Sequence, residues 1–228
     1  MLIPQLLFAH MLADYILQTN WLVARKGQAW DGLALHGLMV FAMSMLALAR
    51  FAPIVLLPIT ILALLHTAQD WVKIHYGSRL KLPSIYSYMA DQFSHYTMIG
   101  VTQVLIGPLL LPDAPTTGEL IAAATGASVV ILTRFYDVTW WSNWLDMLPY
   151  MARWRNLGYA ERLTMFALTV AGLFYLAPLC ILPRLFEGWR SKHPIWKERR
   201  GLWEIGLGVV LSVFVGLLVR SLLPASLR

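Results

Sequence analysis

Residues 53–73 read PIVLLPITILALLHTAQDWVK. The run is long enough to cross the roughly 30 Å of bilayer hydrocarbon as a single helix. It carries no charge until His66, Asp70 and Lys73 close it. An ionisable side chain in the middle of a span costs about 2.5–3.5 kcal/mol on insertion scales, so such residues need a partner or a task. Here two of them stand four residues apart. Fold and candidate site both read outward from this stretch.

The rest of the chain has the same character. Of 228 residues, 58% are hydrophobic and only 13% are charged, against about 25% in a soluble domain. One cysteine, Cys180, excludes an internal disulfide framework. The formal charge of +6 points to loops lying against anionic cytoplasmic lipid, not to nucleic acid. Trp140, Trp141, Trp144 and Trp154 suit an interfacial belt. The first apolar run lacks a basic n-region and a small-x-small cleavage site, and reads as a retained span.

Seven apolar runs are expected to cross, at 2–20, 33–50, 53–73, 85–111, 117–137, 162–183 and 203–222, separated by glycine, proline and charge. Residues 138–157 read as interfacial. The fold class is all-α: a polytopic transmembrane bundle whose first four spans form a His/Asp-bearing core. Residues 1–112 make that core and 113–228 the C-terminal membrane helices. Arg25 and Lys26, then Lys73, Arg79 and Lys81, mark the first and third loops as cytoplasmic, which places the N-terminus outside. The six basic residues of the Arg184–Arg200 linker break strict alternation. The expected location is a bacterial inner membrane, multi-pass.

Four of the six histidines, His10, His36, His66 and His95, fall in or at the edge of the first four spans, with Asp14, Asp70 and Asp91. His10 and Asp14, His66 and Asp70, and Asp91 and His95 are each four apart, so each pair shares one helix face. The order reverses with the direction of the helix. In every case Asp lies nearer the cytoplasm and His one turn deeper, with Asp31 and His36 continuing the pattern on the second span. Antiparallel neighbours can bring these faces into a layer of His above a layer of Asp. Ala9-His10 to Asp14-Tyr15-Ile16 also echoes Leu65-His66 to Asp70-Trp71-Val72, as two related helical hairpins would.

Imidazoles with carboxylates suit a divalent transition metal (Zn, Mn or Fe) over Mg²⁺ or Ca²⁺. Seven ligands exceed one tetrahedral shell, so one or two ions are expected, with His10, Asp14, His36, His66, Asp70, Asp91 and His95 as the ligand set. Interhelical hydrogen bonding alone, averaging about 0.6 kcal/mol per bond, compensates poorly for so many ionisable groups. Gln18 and Gln92 stand beside the acids. Lys73 reads first as a snorkelling interfacial lysine and second as a partner for an anionic headgroup. His75 and His193 receive no role. The phosphate-loop, dinucleotide and H-E-x-x-H signatures are absent, and Ser94-His95 face different ways on a helix.

The run His10-x-x-x-Asp14-x-x-x-Gln18, His36-Gly37, His66-x-x-x-Asp70-Trp71-x-Lys73 and Asp91-Gln92-x-x-His95 resembles the bacterial membrane family called domain of unknown function 3307. The resemblance covers about residues 1–110 and implies no particular activity. A looser similarity, to bacterial inner-membrane metal-dependent hydrolases, points the same way as the residues.

The function expected from these residues is a membrane enzyme, most simply a metal-dependent hydrolase of a lipid-linked or amphipathic substrate at the cytoplasmic face. Asp14, His36 and Asp91 are its candidate catalytic groups, and membrane lipid is the expected surrounding. A metal-ion or proton-coupled transporter and a metal-free membrane scaffold subunit fit the same residues. They differ in needing access from both faces and in needing no ion, respectively.

Overall fold

The computed structural model describes residues 2–80, 84–106, 108, 115–138, 149–190 and 199–227. Lys81, the break at 111–114, Trp140, Trp141, Trp144, His193 and the side chain of Trp154 lie outside the described residues. Within them every element is helical: α1 (Ile3–Met11), α2 (Asn20–Gln28), α3 (Trp30–Ala47), α4 (Ala52–Tyr76), α5 (Ser84–Ile106), α6 (Thr117–Val130), α7 (Pro149–Val170), α8 (Leu182–Arg190) and α9 (Arg199–Leu222), joined by short 3₁₀ and π turns.

Four helical stretches among the described residues are long and apolar enough to cross a membrane: Trp30–Ala47, Ala49–Tyr76, Thr117–Phe135 and Gly201–Leu222. Ile3–Leu17 is apolar but shorter. Their burial is inverted relative to a soluble protein. On α4, Leu57 and Leu64 are 69% and 65% exposed, while His66 and Asp70 are 2% and 5% exposed. Leucine faces outward and the ionisable groups face inward, which is the arrangement hydrocarbon imposes.

Two expected spans differ in shape. The first run ends at Leu17, in a π-helical turn (Leu12–Leu17) that follows α1. What was read as a loop at Lys26 is the separate helix α2, opened by Thr19, whose hydroxyl accepts the Leu22 N–H at 3.3 Å. The run 162–183 is divided. Helix α7 stops at Val170, Gly172 takes φ of 86°, and a 3₁₀ segment covers Phe174–Ile181. A left-handed glycine ends a helix at no steric cost, and the Arg220 guanidinium donates to the Val170 carbonyl at 2.8 Å, occupying one of its last acceptors.

The chain divides into two compact units, Met1–Val130 and Ile131–Arg228. In the first, α1 packs on α3, α5 and α6, α3 on α4, and α4 on α5, so α1, α3, α4 and α5 close a ring. One end of the ring is filled by hydrocarbon: Leu2, Leu6, Leu48, Phe51, Val55, Ile59, Leu62, Ile99 and Ile106 form a single buried cluster. The other end holds the histidines and aspartates. Close approach of α3 and α4 depends on Gly37, where an added Cβ would collide with the Thr67 hydroxyl of α4.

In the second unit, α7 packs on α9 around buried charge. Arg184 bonds Glu161 at 2.6 Å and also Glu204, while Arg162 lies 3.4 Å from Glu204 and its Nε donates to the Leu132 carbonyl at 2.7 Å. The Tyr136 hydroxyl donates to the Glu204 carbonyl at 2.7 Å, and the Tyr136 ring lies 4.0 Å from the Arg162 guanidinium carbon. Asp137 accepts from the Tyr159 hydroxyl and lies 3.7 Å from Arg162.

This packing sets the expected stability of three variants. Gly37→Val forces α3 off α4 and is expected to cost about 1–3 kcal/mol. Gly100→Ala on α5, with nothing within 4 Å of the added Cβ, is expected to be neutral or to stabilise by up to about 1 kcal/mol. Thermal unfolding in detergent checks the contrast. Arg184→Ala leaves the Glu161 carboxylate buried without its cation and is expected to lower stability by about 3–5 kcal/mol in the same assay.

Candidate metal centre

Four helices of the first unit each contribute to the polar end of the ring. Helix α1 with its π turn supplies His10 and Asp14, α3 supplies His36, α4 His66 and Asp70, and α5 Asp91 and His95. The π turn begins at Leu12, between His10 and Asp14, and so sets where the carboxylate lies relative to the imidazole behind it. Gly37, next to His36, allows the His36 and His66 rings to approach to 5.1 Å. His10 stacks on His95 at 5.3 Å, and His66 lies 4.2 Å from His95 and 5.5 Å from His10. The four imidazoles form one contiguous layer.

One atom is the focus. Asp14 Oδ1 lies 3.4 Å from His36 Nε2, 3.6 Å from His66 Nε2 and 3.7 Å from His10 Nδ1, while the two Nε2 atoms are 3.0 Å apart. Neighbouring ligands of a tetrahedral ion bound at about 2.1 Å are roughly 3.4 Å from each other. The spacing therefore fits donor atoms around one cation. Asp14 Oδ1 is also buried and lacks a hydrogen bond of acceptable geometry, as do His10 Nε2, His36 Nδ1 and His95 Nε2. Buried polar atoms are rarely left this way. An acceptor ringed by imidazole nitrogens has the geometry to hold a cation.

A second triangle shares the His36–His66 edge, with Asp70 Oδ2 at 3.4 and 3.9 Å from the two Nε2 atoms. Asp70, Asp91 and His95 make a further group whose ligand atoms, like those of His10/Asp14/His66 and His36/His66/Asp70, lie within 4.8 Å of one another. His95 Nδ1 is hydrogen-bonded to the Asp91 carbonyl at 2.8 Å, which leaves Nε2 as its free nitrogen for a cation. All seven candidate residues thus meet at one end of the bundle.

Asp31 does not join them. It is exposed and bonds the Arg25 guanidinium at 2.7 Å, because α2 folds back over the start of α3 and brings that side chain to it. Two residues enter that the sequence reading had not placed in the centre. Lys26 is buried, with Nζ 2.5 Å from Asp70 Oδ2 and 3.2 Å from Gln18 Oε1. Gln69 donates to the Asp91 carbonyl at 3.3 Å and lies 3.4 Å from His95 Nδ1. Lys73, read first as snorkelling, bonds Asp91 Oδ2 at 2.6 Å. Gln92 Nε2 donates to the same oxygen at 3.3 Å. Gln69 was findable, since three residues after His66 it shares that helix face. Lys26 was not, because its charge reads equally well as a loop lysine. His75 bonds only its own helix, at the Trp71 carbonyl.

Residues 2–111 match the family model described as "Protein of unknown function (DUF3307)", the region that holds all seven candidate ligands and both lysines. No curated protein and no solved structure matches the chain.

Proposed function

We propose that this is an integral membrane enzyme of the bacterial inner membrane, a metal-dependent hydrolase of a lipid-linked or amphipathic substrate. One observation carries the reading: the buried Asp14 carboxylate oxygen faces imidazole nitrogens from three helices at 3.4–3.7 Å. Asp14, His36, His66 and His10 would hold the ion, a Zn²⁺, Mn²⁺ or iron, and Asp70, Asp91 and His95 would flank it. When bound, such an ion lowers the pKa of a coordinated water to about 7 and makes a nucleophile for an ester or phosphoester.

The chain's own groups divide the remaining work. His36, with Nε2 3.4 Å from both Asp14 Oδ1 and Asp70 Oδ2, would complete the shell through that nitrogen. Asp91 is held by Lys73 and Gln92 and orients His95 through the Asp91 carbonyl. Lys73, whose side chain is 40% exposed, reaches Asp91 from the surface side. Arg25 and Arg79 beside this end favour the cytoplasmic face, so the substrate would be reached where headgroup meets hydrocarbon.

A carrier would need a path through the bundle. The opposite end of the ring is closed by side chains that include Val55, Ile59 and Ile106, all 0% exposed, which favours the enzyme over the transporter.

Elemental analysis of detergent-purified protein tests the reading. The expected result is bound transition metal in the wild type, reduced about tenfold or more in Asp14→Asn and His66→Ala. Folded wild-type protein that takes up no metal ends it. Liposome flux of Zn²⁺ or protons abolished by Asp14→Asn would instead establish the carrier. Alanine at His10, His36, His66 and His95 with unchanged thermal stability and no metal would leave the scaffold.

A further inference from the structure

We infer that Lys26 and Lys73 limit the centre to one divalent cation, by neutralising Asp70 and Asp91 and leaving Asp14 as the single uncompensated carboxylate. The inference rests on the metal reading above and goes further, because it assigns the lysines a role in metal stoichiometry.

The ligand atoms alone would allow two ions. Asp70 Oδ1 lies 4.0 Å from His95 Nε2, ligand atoms of Asp70, Asp91 and His95 lie within 4.8 Å of one another, and His95 Nε2 and Asp91 Oδ1 are buried without hydrogen bonds. A second ion held by Asp70, Asp91 and His95 would therefore find donors. It would not find charge. Lys26 Nζ sits 2.5 Å from Asp70 and Lys73 Nζ 2.6 Å from Asp91, each on the Oδ2 oxygen.

Among the described residues, no lysine or arginine pairs with Asp14. Its ionic neighbours are His10, His36 and His66, each of which can be neutral. Three carboxylates against two ammonium groups leave one negative charge. One divalent ion reverses it by a single unit, whereas a second would add two more positive charges beside two fixed ammoniums. In a low-dielectric interior, like charges at that spacing are far costlier than in water.

Lys26 is the stronger of the two devices. It is buried, its ammonium is shared with Gln18 Oε1 at 3.2 Å, and α2 holds it in place by running against α3 at Gly32. Lys73 is more open and reaches Asp91 from the surface side. The lysines thus act as internal cations in the places where a binuclear centre would put its second metal.

The test is Zn²⁺ and Mn²⁺ titration of the full chain, chelator-stripped in detergent, with metal content read after desalting. The expected result is an endpoint of one ion per wild-type chain, two for Lys26→Met/Lys73→Met, and one again when His95→Ala is added to that double variant. His95→Ala in the wild-type background is expected to stay at one. An endpoint of two in the wild type overturns the inference, as does a folded double variant that still stops at one. If the double variant fails to fold, Lys73→Gln decides: a second ion binding about tenfold or more tighter than to wild type supports the inference, and unchanged binding overturns it. A wild type that binds no ion overturns the metal reading itself, and is distinct from both other failures.

Discussion

A carboxylate oxygen buried among imidazoles is the constraint on which the first unit turns. Burying a charged group is tolerated only when it is paired or coordinated, and among the described residues the ionic neighbours of Asp14 are the histidines His10, His36 and His66. Other features at that end of the ring serve to bring nitrogens to it. The π turn after α1 places Asp14 relative to His10, and Gly37 lets α3 and α4 close until His36 and His66 meet. The aliphatic plug at the far end keeps the polar layer on one side. A bundle that merely needed to associate in lipid would gain little from this, since interhelical polar contacts there are worth about 0.6 kcal/mol on average.

The second unit shows that buried charge alone is not a mark of chemistry. Arg162 and Arg184 are met by Glu161 and Glu204, with the Tyr136 hydroxyl on the Glu204 carbonyl and the Arg162 Nε on the Leu132 carbonyl. Such a network resists losing any one member, because the partner left behind stays buried. It ties α7, α8 and α9 by charge matching. The first unit differs in the identity of its bases. Imidazoles can be neutral and present a lone pair, whereas guanidinium cannot, so a carboxylate surrounded by histidine retains capacity for a cation and one clasped by arginine does not.

Lysine occupies an intermediate position. Lys26 and Lys73 give Asp70 and Asp91 the same treatment that the arginines give the glutamates, but within a layer that also contains histidine. The seven ligand residues therefore fall into two sets by charge, although spacing alone makes them look equivalent. Gln18, Gln69 and Gln92 fill in around the lysines and His95, each with an amide directed at a charged or ligating group.

What the residues by themselves determined was the apolar, all-helical class and which His and Asp share a helix face. Apolar runs bounded by Gly, Pro and charge dictate helices, and the i, i+4 spacing of His and Asp dictates which faces are polar, because both depend only on local geometry. The four-residue pairing on α4 and α5 was legible for that reason. Only the tertiary structure decided how the charges are shared. That Lys26 reaches Asp70 across 44 positions of sequence, that Asp31 turns away to Arg25, and that residues 162–183 break at Gly172 all depend on how separate helices meet. Ion pairing is a distance in space, and periodicity along one helix carries no information about which cation from another will arrive there.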